Sequence, residues 1–232
     1  MTEHTLKVFE DELGELTQLV NEMGILAEKQ IRTSMDALIT CNEALASRVI
    51  STDDVMDDMQ RKIEGMAINI IVKRQPMAGD LRAIVAALHS SIDLERIGDC
   101  AENISKRVGA LKDKSYPSYL VKRVEHMADI CLVQIENVFE CYVERDADAA
   151  VRVWRRDEDI DALYISLFRE LLTYMAEKPR NITFSTHLLF CAKNIERIGD
   201  HTTNIAESVY YMVKGETLKE NRTKAVGSSV NN

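Results

Sequence analysis

Proline is nearly missing from this chain, with 3 residues in 232, and glycine is sparse at 9. So few backbone breakers exclude a loop-rich protein and weigh against a β fold with its many turns. Apolar runs such as Ala83 to Leu88 fall far short of the ~20 residues a membrane-spanning helix needs, which excludes an integral membrane protein. Basic clusters are missing too. With a formal net charge of -9 and no Lys/Arg patch, nothing here grips a nucleic-acid backbone. The five cysteines (Cys41, Cys100, Cys131, Cys141, Cys191) are odd in number, scattered, and include no Cys-x-x-Cys pair. A disulfide framework or thiolate zinc site is thereby set aside in favour of buried free thiols in a reducing compartment. Met1-Thr2-Glu3-His4 is followed by acids rather than by a basic stretch and an apolar run, so the expected location is the cytoplasm. Gly-rich phosphate loops, Gly-x-Ser-x-Gly, Glu-x-x-His and His-Glu-x-x-His are all absent, which removes the signatures of nucleotide-binding loops, α/β-hydrolases, di-iron oxidases and zinc proteases.

What is present is helical. With 46% hydrophobic and 29% charged residues the chain is a globular, all-α candidate. Apolar residues recur at three and four steps through Leu16, Val20, Met23, Ala27, Ile31, Leu38, Cys41 and Leu45, which predicts one long helix from about Glu12 to Ser47. A second is expected after Ser51-Thr52-Asp53-Asp54 and ends before Pro76. A third, capped by Asp80, runs to about Leu111. On it Leu81, Ile84, Val85, Leu88 and Ile92 line one face and Leu94, Ile97, Ala101, Ile104 and Val108 nearly the opposite one, so the third helix is expected to be packed on both. Lys112 to Pro117 is a polar connector. The plan then repeats: helices from about Tyr119 to Arg145, Asp148 to Glu177 and Thr183 to Lys214, with Pro179 as the breaker. The expected organisation is a tandem repeat of two three-helix bundles, six long helices, over residues 1–114 and 115–214 with a pseudo-two-fold relation, and a disordered tail over 215–232.

The repeat is visible in the residues themselves. Glu95-Arg96-Ile97-Gly98-Asp99 returns 101 residues later as Glu196-Arg197-Ile198-Gly199-Asp200, with Asn103-Ile104 matched by Asn204-Ile205. An identity run of that length points to an internal duplication. A second acidic pair accompanies each copy: Asp53 and Asp57 in the first half, Asp157 and Asp161 in the second.

Carboxylates four apart on a helix are neighbours, about 6 Å apart at Cβ, and repel one another. Four such pairs in register call for a positive charge between them. If the second and third helices pack antiparallel, Asp53, Asp57, Glu95 and Asp99 converge in one half and Asp157, Asp161, Glu196 and Asp200 in the other. Oxygen-only donors of this kind suit hard cations. Arg96 and Arg197 are placed to pair with the acids. Gly98 and Gly199 interrupt helix interiors, where glycine costs about 1 kcal/mol relative to alanine, and are read as places of close approach. His201 follows Asp200 without a counterpart in the first half. Trp154 is expected to pack a helix junction, and Met56, Met59 and Met66 to fill the core.

Two bundles carrying Asp-x-x-x-Asp on one helix and Glu-Arg-Ile-Gly-Asp-x-x-x-Asn-Ile on the next resemble the PhoU family of phosphate-signalling proteins, from about Phe9 to Lys214. The resemblance implies a cytoplasmic negative regulator of the phosphate-starvation response, not an enzyme. It further implies an adaptor between the ATPase subunit of a phosphate ABC transporter and a phosphate-sensing histidine kinase, a homodimer that meets the membrane only through its partners. It also implies metal ions (Fe, Mn, Mg or Zn) on Asp53, Asp57, Glu95, Asp99, Asp157, Asp161, Glu196 and Asp200. The second half keeps the family's Asn-Ile-Ala-Glu as Asn204-Ile205-Ala206-Glu207, whereas the first has Asn103-Ile104-Ser105-Lys106, a positive charge expected to weaken metal binding there. A metal-dependent phosphate-ester hydrolase using the same acids is the competing reading.

Overall fold

The computed structural model describes residues 3–111 and 117–218. Among these no strand occurs. Eight α-helices run in order: α1 Glu3–Thr40, α2 Glu43–Ile50, α3 Asp53–Arg74, α4 Ala78–Ser105, α5 Ser118–Glu144, α6 Ala147–Arg155, α7 Asp157–Glu177 and α8 Asn181–Lys214, with a 3-10 turn at Val108–Leu111. Six are long, and the short α2 and α6 occupy matching places in the two halves.

Those short helices correct the expected course of the chain. The first long helix does not continue to Ser47. It stops at Thr40, Cys41 takes a left-handed conformation (φ 53°), and Asn42 caps α2 by accepting from the amides of Ala44 and Leu45. The apolar seam runs on through Cys41 and Leu45 because α2 also packs on the core, so periodicity alone could not reveal the bend. In the second half Arg145 (φ 54°) and Asp146 do the same, with Asp146 accepting from Asp148 and Ala149. The helix expected over Asp148 to Glu177 is accordingly two, parted at Arg156. Asp80 is not a cap either: it lies in the first turn of α4, which starts at Ala78.

α4 and α8 share the most extensive contact in the molecule and form its centre. α1 packs on α4 and α3, α5 on α8 and α7, and α1 meets α5. Like elements therefore meet like across the duplication. The buried side chains make one continuous core that includes Met23, Ile31, Ile63, Ile84 and Leu94 from one half and Leu120, Met127, Ile135, Leu188 and Ile198 from the other. Each fully buried Leu, Ile or Met contributes about 1.5–3 kcal/mol.

The third-helix faces differ from expectation. Of the expected first face Ile84 is fully buried and Val85 and Leu88 are partly so, while Leu81 and Ile92 stay exposed; the rest of the buried line there is small, Ala83, Ala86, Ala87, Ser90 and Ser91. Small side chains let neighbouring helices approach closely, and that is what the central position of α4 requires. The expected face of Leu94, Ile97, Ala101, Ile104 and Val108 is buried throughout.

The five cysteines are thiols rather than disulfides, and four of them are buried. Arg74 makes a two-pronged contact with Glu12 (2.9 Å to each oxygen), tying the end of α3 to α1. Residues 112–116 of the connector and 219–232 of the tail lie outside the described residues. Leu218, within the stretch expected to be disordered, packs on the core.

Candidate metal centre

α3 and α4 are joined by three residues and pack on each other, so the start of α3 lies level with the later turns of α4. Burial pushes the Asp53 carboxyl above its ordinary range, and the charges of Glu102, Asp99 and Asp57 push it further. Glu95 is raised by burial and by Asp99, with Arg96 opposing, and then by Asp57 and Asp53. Asp53 therefore lies in the field of Asp57 and Asp99, and Glu95 in that of Asp53, Asp57 and Asp99. The sequence spacing places Asp53 and Asp57 in the first turns of α3 and Glu95 and Asp99 on the later turns of α4.

In the second half Glu196 is raised by burial, lowered by its hydrogen bond from Lys193, and raised by Asp200 and Asp161. Glu196 thus lies in the field of Asp161 on α7 and of Asp200 on α8. Asp157 opens α7 as Asp53 opens α3, and its side chain lies outside the described residues.

Protein cations sit on several of these acids. Arg96 reaches Glu95 (Nε to Oε2, 3.3 Å) and Asp99 (3.0 Å), Arg61 stands 3.7 Å from Asp57, and Lys106 pairs with Glu102. The expected pairing of both motif arginines holds for Arg96 alone. Arg197 is exposed and makes no ion pair among the described residues; Lys193, one turn earlier, takes Glu196 instead.

Gly98 is a place of close approach. A Cβ there would stand 3.1 Å from Oε1 of Gln30 and 3.3 Å from Cγ of Met56, so the glycine lets α1 and α3 close on the back of the acidic motif. Gln30 is 3% exposed, and both its amide atoms lack hydrogen-bond partners among the described residues. Gln134 is its counterpart on α5, with Nε2 donating to the Arg156 carbonyl at 2.9 Å. The two glutamines are as far apart in the chain as Asp53 and Asp157, a signal the sequence carried and the motif-centred reading passed over.

Two further acids were missed. Glu102, seven residues after Glu95 and on its face of α4, adds a fifth carboxylate to the first half; the spacing alone could have found it. Asp93 receives α8: its Oδ1 lies 2.9 Å from Nδ1 of His201 and accepts from Asn204 at 3.0 Å. His201 thus joins the two central helices instead of adding to the acids beside it. Trp154, 5% exposed, donates from Nε1 to Glu207 at 2.7 Å, which fixes α6 against α8 and occupies the glutamate that Lys106 replaces in the first half.

The donor set fits a hard cation. It is all carboxylate, it is partly desolvated, and like charges raise the acids in just the sense that a bound cation would reverse. Zinc, which favours nitrogen and sulfur, is the poorest match among Fe, Mn, Mg and Zn. Among the described residues no three acid, histidine or cysteine side chains already form a metal-holding group. Swinging Arg96 and Lys193 off their acids is what would free the oxygens to close on an ion.

Comparisons with known proteins converge. The model of the PhoU domain matches twice, over residues 20–108 and 124–209. The phosphate-specific transport system accessory protein PhoU homolog of Rhizobium meliloti is 50% identical, over 97% of both chains. The homolog of the same name in Caulobacter vibrioides is 45% identical, again over 97% of both. Among solved structures, PhoU from Pseudomonas aeruginosa superposes with a TM-score of 0.84 at 36% identity, covering 90% of this chain and all of that one. The phosphate transport system regulatory protein PhoU of Streptococcus pneumoniae gives 0.85 at 26% identity, covering 91% of this chain and all of that one.

Proposed function

The chain belongs to the PhoU family, and from that membership we propose that it is an accessory and regulatory protein of phosphate-specific transport. In its finer form, it is a cytoplasmic negative regulator that holds the transporter ATPase and a phosphate-sensing histidine kinase, with metal ions on its two acidic faces. The relatives' names support the transport role, and none of them names an activity on phosphate esters, so the hydrolase reading gains nothing from them. No helix among the described residues is long and apolar enough to cross a membrane, in keeping with a protein that reaches the bilayer through partners.

What supports the metal reading is the field that Asp57 and Asp99, one on each helix, exert on both Asp53 and Glu95, with Asp161 and Asp200 acting likewise on Glu196. Asp53, Asp57, Glu95 and Asp99 would hold one site, and Asp157, Asp161, Glu196 and Asp200 the other. A bound cation would supply the charge that neutralises each cluster. Arg96 and Lys193 act as internal stand-ins, holding Glu95, Asp99 and Glu196 in place when no ion is bound. In the first half Glu102 absorbs the Lys106 charge, so the weakening expected from Lys106 is partly offset.

The test is elemental analysis together with capture of the purified ATPase subunit, comparing the native chain with a variant carrying Glu95, Asp99, Glu196 and Asp200 all changed to alanine. Stoichiometric metal and ATPase capture by the native chain, both lost in the folded variant, is the expected result. Capture that survives in a metal-free variant would separate the adaptor role from the metal and overturn the coupling between them.

A further inference from the structure

α1 and α5 meet antiparallel, and a groove follows their seam. Two cavities compose it, of about 590 and 320 Å³, joined through Asn21 and Val143, which line both. Along α1 the groove extends from Glu10 to Glu28, about 27 Å at 1.5 Å per residue. Apolar residues that stand in water line it: Ile25 is 59% and Val143 53% exposed, beside Leu13 and the Phe139 ring.

Its edge is acidic. Glu136, Glu140 and Glu144 follow one another at i, i+4 and i+8 on α5 and face Glu28 of α1 across the groove. Like charges at that spacing cost a few tenths of a kcal/mol for each pair. Arg32 relieves one end, at 2.7 Å from Glu28 and 2.6 Å from Glu136. Glu140 and Glu144 have no cationic partner among the described residues, and the sole cation lining either cavity is Arg145, at the far end. Arg152 and Arg156 line the neighbouring cavity on the far side of Glu140 and Glu144, without an ion pair to either among the described residues. On the groove side an exposed apolar floor therefore lies beside a row of acids that is only partly offset, which is unfavourable for a free surface.

We propose that this groove is a docking site for a basic amphipathic helix of a partner protein. A third helix laid along two others packs its ridges into their seam, and 27 Å accommodates about five turns. Apolar side chains at i, i+3, i+4 and i+7 would cover Ile25, Phe139 and Val143 while Lys or Arg on the flank would meet Glu140 and Glu144. A second copy of the chain is a poor occupant, because it would set one glutamate row against another in a protein of net charge -9. The inference deepens the adaptor reading and rests on it for the premise that the chain holds other proteins.

The probe is a labelled 18-residue synthetic peptide with leucine at those helical positions and lysine on the flanks, titrated with the full chain and followed by fluorescence anisotropy. A peptide of the same composition in scrambled order is the control. Expected is binding by the patterned peptide alone, weakened about tenfold or more by Glu140→Lys with Glu144→Lys, and also by Val143→Lys. These residues are exposed, and circular dichroism checks that the variants fold. Equal binding of the scrambled peptide, or unchanged binding by both variants, overturns the proposal. So does a native dimer in light scattering that Val143→Lys converts to monomer, since the groove would then be a self-interface. Capture of the ATPase by the native and Lys-substituted chains alike sinks the groove and leaves the adaptor reading standing. Peptide binding as expected with no ATPase capture by the native chain does the reverse.

Discussion

Phe139 of α5 lays its ring on the backbone of Gly24 of α1, so closely that a Cβ at Gly24 would stand 2.4 Å from the ring Cζ. This contact sets how near the outer helices of the two halves approach. It also makes part of the floor of the proposed docking groove.

Gly24→Ala is therefore expected to destabilise the protein by about 1–3 kcal/mol through overpacking, in spite of the ~1 kcal/mol that alanine gains in a helix. Phe139→Leu combined with it should recover part of the loss, because the smaller side chain leaves room for the new methyl. Urea unfolding of the two single variants and the double variant measures this. A Gly24→Ala protein more stable than the native one would show that the ring moves aside freely.

Glu95 is raised by burial and by Asp99, so its charge opposes folding when no cation is bound. Glu95→Gln should stabilise the metal-free protein by a few tenths to about 1 kcal/mol and lower its affinity for Mn²⁺ or Mg²⁺. Calorimetry with and without the ion reads both quantities. Loss of metal-free stability in Glu95→Gln would mean that the Arg96 pair outweighs the repulsion.

His187 responds to pH. Burial, and then the charge of Arg107, hold its imidazole below its ordinary value. The unfolded chain then takes up a proton, at about pH 6.5, before the folded one does. The His187 contribution is fully present above that value and is lost as pH falls through the lower folded value. The native protein should lose more of its melting temperature between pH 7 and 5.5 than a His187→Asn variant does. Parallel melting curves for the two proteins over that interval would refute this.

Asp93 joins α4 to α8 through His201 and Asn204. Asp93→Ala should cost about 1–3 kcal/mol, since it strands two polar groups at the central interface. In a double-mutant cycle with His201→Ala the two effects should be clearly less than additive. Full additivity would mean that the 2.9 Å contact contributes nothing.

Much of the fold was legible because helices of this length announce themselves by period. Met23, Ala27, Ile31, Ile63 and Ile70 all fall on buried faces where the three-four spacing puts them. The bends at Cys41 and Arg145 were less legible, because a left-handed residue followed by an Asn or Asp cap is a two-residue event inside an unbroken apolar seam. In the candidate site, Asp53, Asp57, Glu95 and Asp99 were found through repetition. Gln30 and Asp93 were not, since neither belongs to a motif; Gln30 matters for lying behind Gly98 and Asp93 for facing His201, two relations made only across packed helices.

The sequence by itself determined the six long helices though not the breaks beside α2 and α6, the duplication, and which acids lie a turn apart, since these follow from the 3.6-residue turn and from residue identity. Tertiary structure alone decided which halves of α4 are buried and by what, that Arg96 rather than Arg197 holds its acids, that His201 turns to Asp93, and that α1 and α5 leave an acidic apolar groove between them. Such outcomes depend on distances between residues far apart in the chain. Local periodicity gives each helix its faces but does not say what each face meets.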